Sequence, residues 1–535
     1  MPETIGTLIV GAIAPGALTG IGLGSSLSGA TFLGINIATA VGTAAIIGAS
    51  IGLQYATRPG LPKASDGTQP IKQAVPPRLR GYGRCRIAGY YMLYEENGKV
   101  SYDVVALHSG RMSQIVTYLL HDDTITIDPA SGNVNDDYSD GRYGPSKITI
   151  RANIDGTGGP FFGDSGMDAV FSPSTHFGYG VSWLSLACLS PADANDFPTV
   201  YPHGLPVPSV IADLAPIWDP RDPSQDRNSP GSWKVSYNPV IQLIDYLTAT
   251  DGGMGLDFDT ILPAEVLALW MAEADICDAL VERADGTFEK RYQSSGWYLY
   301  DNKPEDVIGA ILATCDGWLA ESGDGTLSLT VGLYRDPDIT ISDKHIVGFS
   351  LNYGQADEST VNQLDISFTD TTQKYAEVQA DSLRDEDAIS LTGIVRSQQL
   401  DLKWVQEATQ ARRLAYRAMD RLNAKMSGSF TTTLYGLKAL GKRWVRLQYP
   451  FISGLQDCVV EIQDGTQIDL MAGQITFKFN RIAPDEIEAY DPEADEGTIP
   501  TPPPIVVPPD TNFELREDGS YELREDGTKE IRESA

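Results

Sequence analysis

The first part of the chain is largely apolar and uncharged, whereas hydrophobic and polar residues alternate in most of the remainder. Residues 4–57 contain no charged side chain and are built largely from Gly, Ala, Ile, Leu and Thr. From residue 79 onward, short runs rich in Val, Ile, Tyr and Leu are separated by Gly, Asn, Asp and Pro, which is typical of strands joined by turns. Some segments instead show a 3.6-residue period. The pattern predicts an α+β, strand-rich, multi-domain body that follows an apolar, helical N-terminal segment.

Strands are predicted throughout this body. Residues 84–95 and 99–109 flank Asn97 and Gly98, the pair that a type I′ hairpin turn prefers because both central residues need a positive φ. Residues 131–179, dominated by Gly, Asp, Asn and Ser, predict long loops with short strands. The remaining strands are predicted at residues 113–120, 124–127, 181–189, 327–333, 363–368, 427–434, 443–448, 458–463 and 474–480.

Helices are predicted at four places. Asn238 followed by Pro239 is an N-cap with proline at the first helical position, and it opens a helix over residues 240–247. Two more helices are predicted over residues 263–279 and 304–320, and the longest over residues 405–426. The longest helix has an apolar stripe of Ala408, Ala411, Leu414, Ala415, Ala418, Leu422 and Met426, which leaves Arg412, Arg413, Arg417 and Arg421 largely on the other faces.

Changes in composition divide the chain into segments. The uncharged segment 1–58 is followed by a Pro-rich linker, and the end of the chain is an acidic and Pro-rich tether with a short repeat. The predicted divisions are a linker at 59–78, a β-rich domain with a loop insertion at 79–236, an α/β domain at 237–340, an α+β domain with the long helix and closing strands at 341–485, the tether at 486–512 and the repeat at 513–535.

The uncharged N-terminal segment needs a partner that shields it from water. It lacks the basic n-region of a secretory signal but is long enough for two membrane-spanning helices. Two roles remain open: a helical plug inside an oligomer, or a segment that enters a bilayer when triggered. A disordered leader is a third reading. Small residues at four-residue spacing would let such helices pack closely, and the candidate contacts are Gly16, Gly20, Gly24, Gly48 and Gly52.

Charge and cysteine content narrow the function. The chain has 40 basic and 72 acidic residues and a net charge of -32. This excess argues against binding nucleic acid or anionic membranes through a basic patch, because such binding neutralises phosphates. It suits a solvated virion or extracellular surface, or the wall of a conduit that must not hold a polyanion. The 5 cysteines are isolated and lack C-x-x-C spacing, so we expect reduced, mostly buried thiols in a chain synthesised in a reducing cytoplasm.

Candidate catalytic chemistry has no motif behind it. The histidines do not fall at metal-ligand spacing, and residues 135–141 resemble a calcium loop in which Lys147 replaces the distal glutamate. Asp122, Asp123 and Asp128 could imitate the carboxylate pair of a glycosidase, but such pairs are common in so acidic a chain. We therefore expect no enzyme activity, no cofactor and no metal.

One local basic patch consists of Arg78, Arg80, Arg84 and Arg86. Arginine commonly anchors interfaces through bidentate bonds to carboxylates. In an assembly of acidic chains, we expect this patch to contact another subunit rather than nucleic acid. The neighbouring aromatic cluster predicts the core and interface of one sheet, and it consists of Tyr90, Tyr91 and Tyr94.

The C-terminal segment repeats with a period of eight. ELREDGSY, ELREDGTK and EIRESA follow one another over residues 514–535, and Asp-Gly turns separate the units. A single copy buries too little apolar area to offset its ordering entropy. We expect a short trimeric β-stem or a tail that docks on a fibre, and a solvated acidic tail is the alternative. The narrow apolar face consists of Phe513, Leu515, Tyr521, Leu523 and Ile531.

Three stretches together indicate a family. They are QAVPPRLRGYGRCRIAG at residues 73–89, WDPRDP at residues 218–223, and YNPVIQLIDYLT at residues 237–248 followed by GMGL at residues 253–256. In this order they resemble the tail-tip hub proteins of long-tailed (siphovirus) bacteriophages, relatives of the lambda-type host-specificity protein J. The resemblance covers roughly residues 70–485.

The resemblance implies a structural virion protein at the tail tip. Such a protein is a homotrimer with β-barrel-like and α/β hub domains that closes the distal end of the tail tube and opens for genome ejection. The implied partners are the distal tail protein, other tip proteins, the tape-measure protein and the host envelope, with a central fibre or receptor-binding protein at the C-terminus. Sequence-specific binding of nucleic acid is not expected.

This chain differs from the long members of that family. It stops soon after the Pro-rich tether, without their extended fibronectin-like and receptor-binding regions. The hub role is therefore expected, while direct recognition of the host by this chain is left open. The alternatives are a membrane-anchored surface adhesin and a tail-associated enzyme that degrades polysaccharides.

Overall fold

The computed structural model describes residues 69–498 without residues 74, 135–146, 163–174, 194–195, 202–203, 323 and 354–359, and it also describes residues 31–32 and 35–36. The chain divides into two compact units, Met1–Ile499 and Pro500–Ala535. The second unit, which holds the octad repeat, lies outside the described residues, as do the five candidate glycines of the N-terminal segment and the loop at 135–141.

Antiparallel pairing dominates the strands up to residue 213. The series begins with a pair of two-residue strands in the N-terminal segment, where the sequence analysis predicted helix. Two four-stranded sheets follow that pair. These strands are β1 (Thr31–Phe32), β2 (Ile35–Asn36), β3 (Leu79–Tyr82), β4 (Arg84–Ile87), β5 (Tyr90–Asn97), β6 (Val100–Ser109), β7 (Gln114–Leu120), β8 (Asp123–Ile125), β9 (Ile148–Asn153), β10 (Val181–Leu189) and β11 (Pro208–Asp213).

Strands in the rest of the chain form smaller sheets and one sheet of six strands. They are β12 (Leu280–Glu282), β13 (Phe288–Lys290), β14 (Gly296–Leu299), β15 (Trp318–Glu321), β16 (Leu327–Thr330), β17 (Thr340–Ser342), β18 (Ile346–Tyr353), β19 (Gln363–Asp370), β20 (Ala376–Gln379), β21 (Leu383–Arg384), β22 (Ser397–Leu402), β23 (Met426–Thr433), β24 (Trp444–Gln448), β25 (Cys458–Asp469) and β26 (Gln474–Ile482).

The helices lie between these strands and after them. They are α1 (Phe197–Val200), α2 (Pro239–Thr248), α3 (Phe258–Ile261), α4 (Ala264–Asp278), α5 (Pro304–Ala313), α6 (Glu386–Thr392), α7 (Ala408–Leu422), α8 (Pro484–Ile487) and α9 (Pro492–Asp495). The combination confirms the predicted α+β, strand-rich class.

Sheet order defines three larger layers. The first two sheets have the orders β5-β6-β10-β9 and β4-β11-β7-β8. The six-stranded sheet has the order β17-β24-β25-β26-β23-β18, in which only the β17–β24 pair is parallel. In a smaller sheet, β19 pairs in parallel with β22 and antiparallel with β20 and β21.

Three main hydrophobic cores stabilise the described part of the chain. One surrounds α2, α4, α5 and α7 and includes Ile241, Leu312 and Ala415. A second lies between the first two sheets, and a third lies against the six-stranded sheet around Phe430 and Phe477. The apolar stripe of α7 faces the first core as predicted, since four of its residues are buried there and two more, Ala408 and Leu422, pack partly buried against that core. The domain boundaries drawn from the sequence stay predictions.

The helix start at Asn238 is confirmed. The Asn238 side-chain oxygen accepts a hydrogen bond of 3.0 Å from the Val240 N–H, and Pro239 is the first helical residue. This satisfies an N–H group that the helix geometry leaves without an intrahelical partner. The strand predicted at residues 181–189 and the helix predicted at 263–279 are also present, as β10 and α4.

The first hairpin turn is shifted by one residue from its predicted position. Asn97 pairs with Val100, so the two central residues are Gly98 and Lys99 rather than Asn97 and Gly98. Of these, Gly98 has a φ of 66°, and glycine at the first central position is typical of a type II′ turn. The strand predicted over 84–95 is also divided into β4 and β5.

Two predicted helices extend too far in the sequence analysis. The helix predicted over 304–320 ends at Ala313, because Asp316 has a φ of 50° and the chain then enters β15. The helix predicted over 405–426 spans Ala408–Leu422, and Met426 opens β23. Asn423 ends it by exchanging two hydrogen bonds with the Val361 backbone, at 2.6 and 3.2 Å.

Candidate functional site: a buried ion junction

The turn after α5 carries the most densely paired carboxylate in the described part of the chain. Asp316 is 9 % exposed and lies beside three arginines, two on α7 and one, Arg443, immediately before β24. Arg417 Nε donates to Asp316 Oδ2 at 2.8 Å, and Arg421 makes a bidentate pair with both carboxylate oxygens. Asp316 therefore joins the turn after α5 to one face of α7.

The same cluster reaches the six-stranded sheet through Arg443. Its guanidinium donates to the Asp316 carbonyl at 2.8 Å and to Asp316 Oδ1 at 3.1 Å, while Nε donates to Glu461 Oε1 at 2.8 Å. Glu461 lies on β25 and is fully buried. Arg421 Nε lies 3.1 Å from Glu461 Oε2, but the two groups are not aligned for a hydrogen bond. The contact between them is therefore electrostatic.

Charges balance in this cluster, which we call the ion junction. Its members are Asp316, Arg417, Arg421, Arg443, Glu461 and Glu488, and they carry three positive and three negative charges. Glu488 follows α8 and accepts from Arg417 Nη1 at 2.8 Å. A buried charge is costly unless it is paired and hydrogen-bonded, and each of the five buried members is paired and makes at least one hydrogen bond within the cluster.

The pKa shifts follow from burial and from these pairs. Burial by itself would raise the pKa of Asp316, but the guanidinium groups of Arg421, Arg443 and Arg417 lower it well below its usual value. Burial would lower the pKa of Arg421, and the charges of Asp316 and Glu461 raise it above its usual value. Asp316 and Arg421 are therefore held in their charged forms at any ordinary pH.

Two of these arginines are buried, which the apolar stripe of the long helix by itself did not indicate. Arg417 and Arg421, which we placed largely on the other faces of that helix, are 5 % and 7 % exposed. Their spacing of four puts both on one helical face, beside the buried Ala418. In the sequence, the only indication that these two arginines are buried was their four-residue spacing next to the apolar stripe. Asp316 and Glu461 are distant in sequence and could not be assigned to them from periodicity.

Each arginine of the predicted basic patch is paired with an aspartate of its own chain. Arg78 meets Asp251, Arg84 meets Asp213 and Arg86 meets Asp122, at 2.6 to 2.7 Å. Arg80 Nη2 donates to Asp245 on α2 at 2.7 Å, and both side chains are largely buried. These pairs tie β3 and β4 to other parts of the same unit, and the predicted subunit contact stays a prediction.

Other candidate side chains have structural partners. His108 is buried, its Nε2 accepts from the Gly81 N–H at 3.2 Å, and burial followed by the charge of Arg80 lowers its pKa to about 3. Asp128 accepts from the Ser131 hydroxyl within a turn. The cysteines are free and buried, as predicted.

The part of the chain that the structure describes has neither a metal-binding cluster nor a helix able to cross a membrane. No group of three or more His, Cys, Asp or Glu side chains is arranged to hold a metal ion there. None of the described helices combines the length and the apolar composition that a membrane crossing requires.

The beginning of the predicted tether lies against the body. Glu488 Oε1 accepts from the Tyr334 N–H at 2.8 Å, and Glu496 Oε2 accepts from the Ala284 N–H at 2.8 Å. The Asp495 carbonyl accepts from Arg412 Nε at 2.8 Å. Residues 484–498 therefore form a clasp over α7 and its surroundings, and the part of the tether beyond them lies outside the described residues.

Comparison with known proteins gives one family match and several structural likenesses. Residues 303–434, which include Asp316, Arg417 and Arg421, match a family described as putative phage tail protein, Phage-tail_3. A comparison with curated proteins found no match.

Among solved structures, a chain of the virion of a native gene transfer agent particle is similar with a TM-score of 0.51 and 14% identity, and the match covers 88% of this chain and 97% of that one. A second similar structure is a 43 kDa tail protein of prophage MuSo2 from Shewanella oneidensis, with 9% identity and a TM-score of 0.25; the match covers 77% of this chain and 99% of that one. A third is a tail protein from Neisseria meningitidis MC58, with 10% identity and a TM-score of 0.28; the match covers 75% of this chain and 95% of that one. Those two scores are too low to carry an argument.

The family match and the shared fold lead to a coarse assignment. The matched region contains α5, the turn at Asp316 and α7, which are elements that the ion junction joins. The gene-transfer-agent likeness covers nearly the whole of both chains and shows a common fold. Neither the adhesin nor the polysaccharide-degrading enzyme is favoured by these findings. They support a phage tail structural protein that forms part of a virion.

Proposed function

We propose that this protein is the trimeric hub of a tail tip, which closes the distal end of the tail tube and opens for genome ejection when the virion engages its host. The observation that carries the proposal is the likeness to a virion chain over 88% of this sequence. The three sequence stretches in hub order and the tail-protein match at residues 303–434 support it.

The ion junction fits a part that transmits force between tail components. It connects α7, the turn after α5 and the six-stranded sheet through charged hydrogen bonds that are shielded from water, and it reaches the clasp through Glu488, which is partly exposed. Such bonds are directional, so a relative movement of these elements would break several of them together. The elements that the ion junction joins are therefore suited to act as one rigid piece of an assembly.

The acidic composition fits a conduit for DNA. Each copy has a net charge of -32, so three copies around a channel would present a strongly negative wall. Genomic DNA would be repelled from that wall rather than held by it. A channel surface with a net basic potential in the assembled tip would contradict this part of the proposal.

The N-terminal segment is proposed to lie inside the trimer before infection. Its 4–57 stretch has no charge, and exposure of that stretch would cause aggregation. Release on triggering would let it enter the host envelope. Intact tails should not float with liposomes and triggered tails should, whereas equal behaviour in both states would contradict this step.

The proposed stoichiometry is tested by the mass of purified tail tips. Native mass spectrometry of tips carrying this chain should give three copies, and a tagged chain should be labelled at the distal end of the tail. A count of one or six copies would contradict the trimer. If three copies were found but the tagged chain were labelled along the tube, the proposed position at the distal end would be contradicted.

A further inference from the structure

A cleft at the edge of the first sheet combines two tyrosines with several charged groups. Its volume is about 520 Å³, which lies within the range typical of small-ligand sites. It is open to solvent and lies apart from the ion junction and from the pairs made by the arginine patch. Its lining includes Lys72, Tyr91, Tyr94, Glu95, Glu96 and Asp103.

A β-bulge brings the two tyrosines to the same face. Tyr91 pairs with Val105 and Tyr94 pairs with Asp103, and the register shifts between Tyr91 and Leu93. Without that shift, residues three apart on a strand would point to opposite faces. Their rings are instead neighbours, with centroids 6.2 Å apart and planes at 80°.

A cation already sits between these rings. The Lys72 ammonium lies 4.1 Å from the Tyr94 ring centroid and 5.0 Å from the Tyr91 centroid, both within the distance at which a cation is attracted to an aromatic face. Its backbone position is fixed by the neighbouring residue, because the Ile71 N–H donates to Gly89 and the Ile71 carbonyl accepts from Tyr91. The pair of tyrosine rings in the cleft therefore accommodates an ammonium-sized charge.

Charge complementarity favours a positive ligand. The lining has three carboxylates, those of Glu95, Glu96 and Asp103, against the single ammonium of Lys72. Tyr94 is 57% exposed, so one face of the cage remains open to solvent. A ligand cation could therefore reach the rings from outside and displace Lys72 toward water.

We propose that this cleft is a binding site for an organic cation, namely the ammonium or guanidinium group of a basic side chain on a partner protein. Lys72 occupies the site in the isolated chain and is displaced when the partner binds. The site does not depend on the tail-tip position or on the trimer.

Binding should depend on the charge of Asp103. Burial raises its pKa to about 6, and Lys72 opposes that rise. The groups that face Asp103 are Lys72, Tyr91 and Tyr94, the two neighbouring glutamates, and Cys188 of β10. As the pH falls through about 6, Asp103 gains a proton and the site loses negative charge, so cation binding weakens. The Asp103→Asn variant should lose this pH dependence.

The test uses the full chain and tetramethylammonium as the probe, with binding followed by saturation-transfer NMR. Lys72→Ala should strengthen binding about fivefold, the size expected when an exposed cation–π cage is vacated. Adding Tyr94→Leu to Lys72→Ala should abolish that gain. Tyr179→Leu, which changes another exposed tyrosine, is the matched control and should leave binding unchanged.

Two results would overturn the assignment. One is unchanged tetramethylammonium binding in Lys72→Ala, with the circular dichroism spectrum of the folded protein retained. The other is Tyr94-dependent binding of a neutral sugar such as methyl glucoside in the absence of tetramethylammonium binding, which would make the cleft a saccharide site. The Glu96→Gln variant gives an independent check, because it should weaken cation binding without altering the aromatic pair.

Discussion

Asp316→Asn should destabilise the protein far more than a surface substitution does. Asparagine keeps the shape of the side chain and tolerates the positive φ of 50° at this position, so the change mainly removes the charge. Arg417, Arg421 and Arg443 would then share only Glu461 and Glu488 as anionic partners. Removing one partner of a buried ion pair typically costs about 3–5 kcal/mol, a large fraction of the ~5–15 kcal/mol that stabilises a folded domain.

The assay is urea unfolding combined with hydrogen exchange of the α7 amides. Asp338→Ala is the matched control, since Asp338 forms an exposed pair with Lys442 at 2.9 Å and should contribute no more than about 1 kcal/mol. Faster exchange in α7 should accompany the loss of stability in Asp316→Asn. A loss no larger than that of the control, with α7 exchange unchanged, would refute the role of the ion junction.

The pH dependence gives a second check on the same residue. The pKa of Asp316 is lowered on folding, so its contribution to stability is present above the unfolded pKa of about 3.9 and is lost as the pH falls below that value. Wild type should therefore lose stability more steeply than Asp316→Asn below about pH 4. Parallel stability curves for the two proteins in acid would contradict the assignment.

Four further changes have defined outcomes. Arg80→Met should cost about 3 kcal/mol in denaturant unfolding because it leaves the buried Asp245 unpaired, whereas Arg227→Met at an exposed pair should cost under about 1 kcal/mol. Asn238→Ala should lower stability by about 1–2 kcal/mol through loss of the α2 cap, and an unchanged thermal midpoint would contradict this. Burial, followed by the charge of Asp324, raises the pKa of Glu321 to about 8. The contribution of protonated Glu321 to stability is therefore full below the unfolded pKa and is lost as the pH rises through about 8. Glu321→Gln should stabilise the protein at pH 9 more than at pH 5, and a larger effect at pH 5 would contradict this. Deleting residues 513–535 should leave the proposed trimer intact and cost fibre attachment; unchanged attachment and infectivity would exclude the docking role.

Periodicity and capping predicted the local elements well. The Asn238 cap, the strand at 181–189 and the apolar stripe of α7 depend on neighbouring residues, and each is present. The end of α5 was missed because the turn at Asp316 is stabilised by arginines about a hundred residues away. Such long-range pairing leaves no period in the sequence.

The sites were harder to foresee than the elements. The arginine patch was found from its composition, but its intrachain aspartates lie as far as 173 residues along the chain. The Tyr91 and Tyr94 cage depends on a bulge, and a regular two-residue alternation would have separated the two rings. Buried arginines at Arg417 and Arg421 contradict the usual expectation that charge lies on the outer face of a helix.

A reconstruction of the intact particle by electron cryo-microscopy tests the proposed tail-tip hub most directly. The account predicts three copies of this chain around the tail axis at the distal end of the tube, with residues 4–57 inside the closed channel. Density for the chain in another number of copies, or at a position away from the distal end, would contradict it.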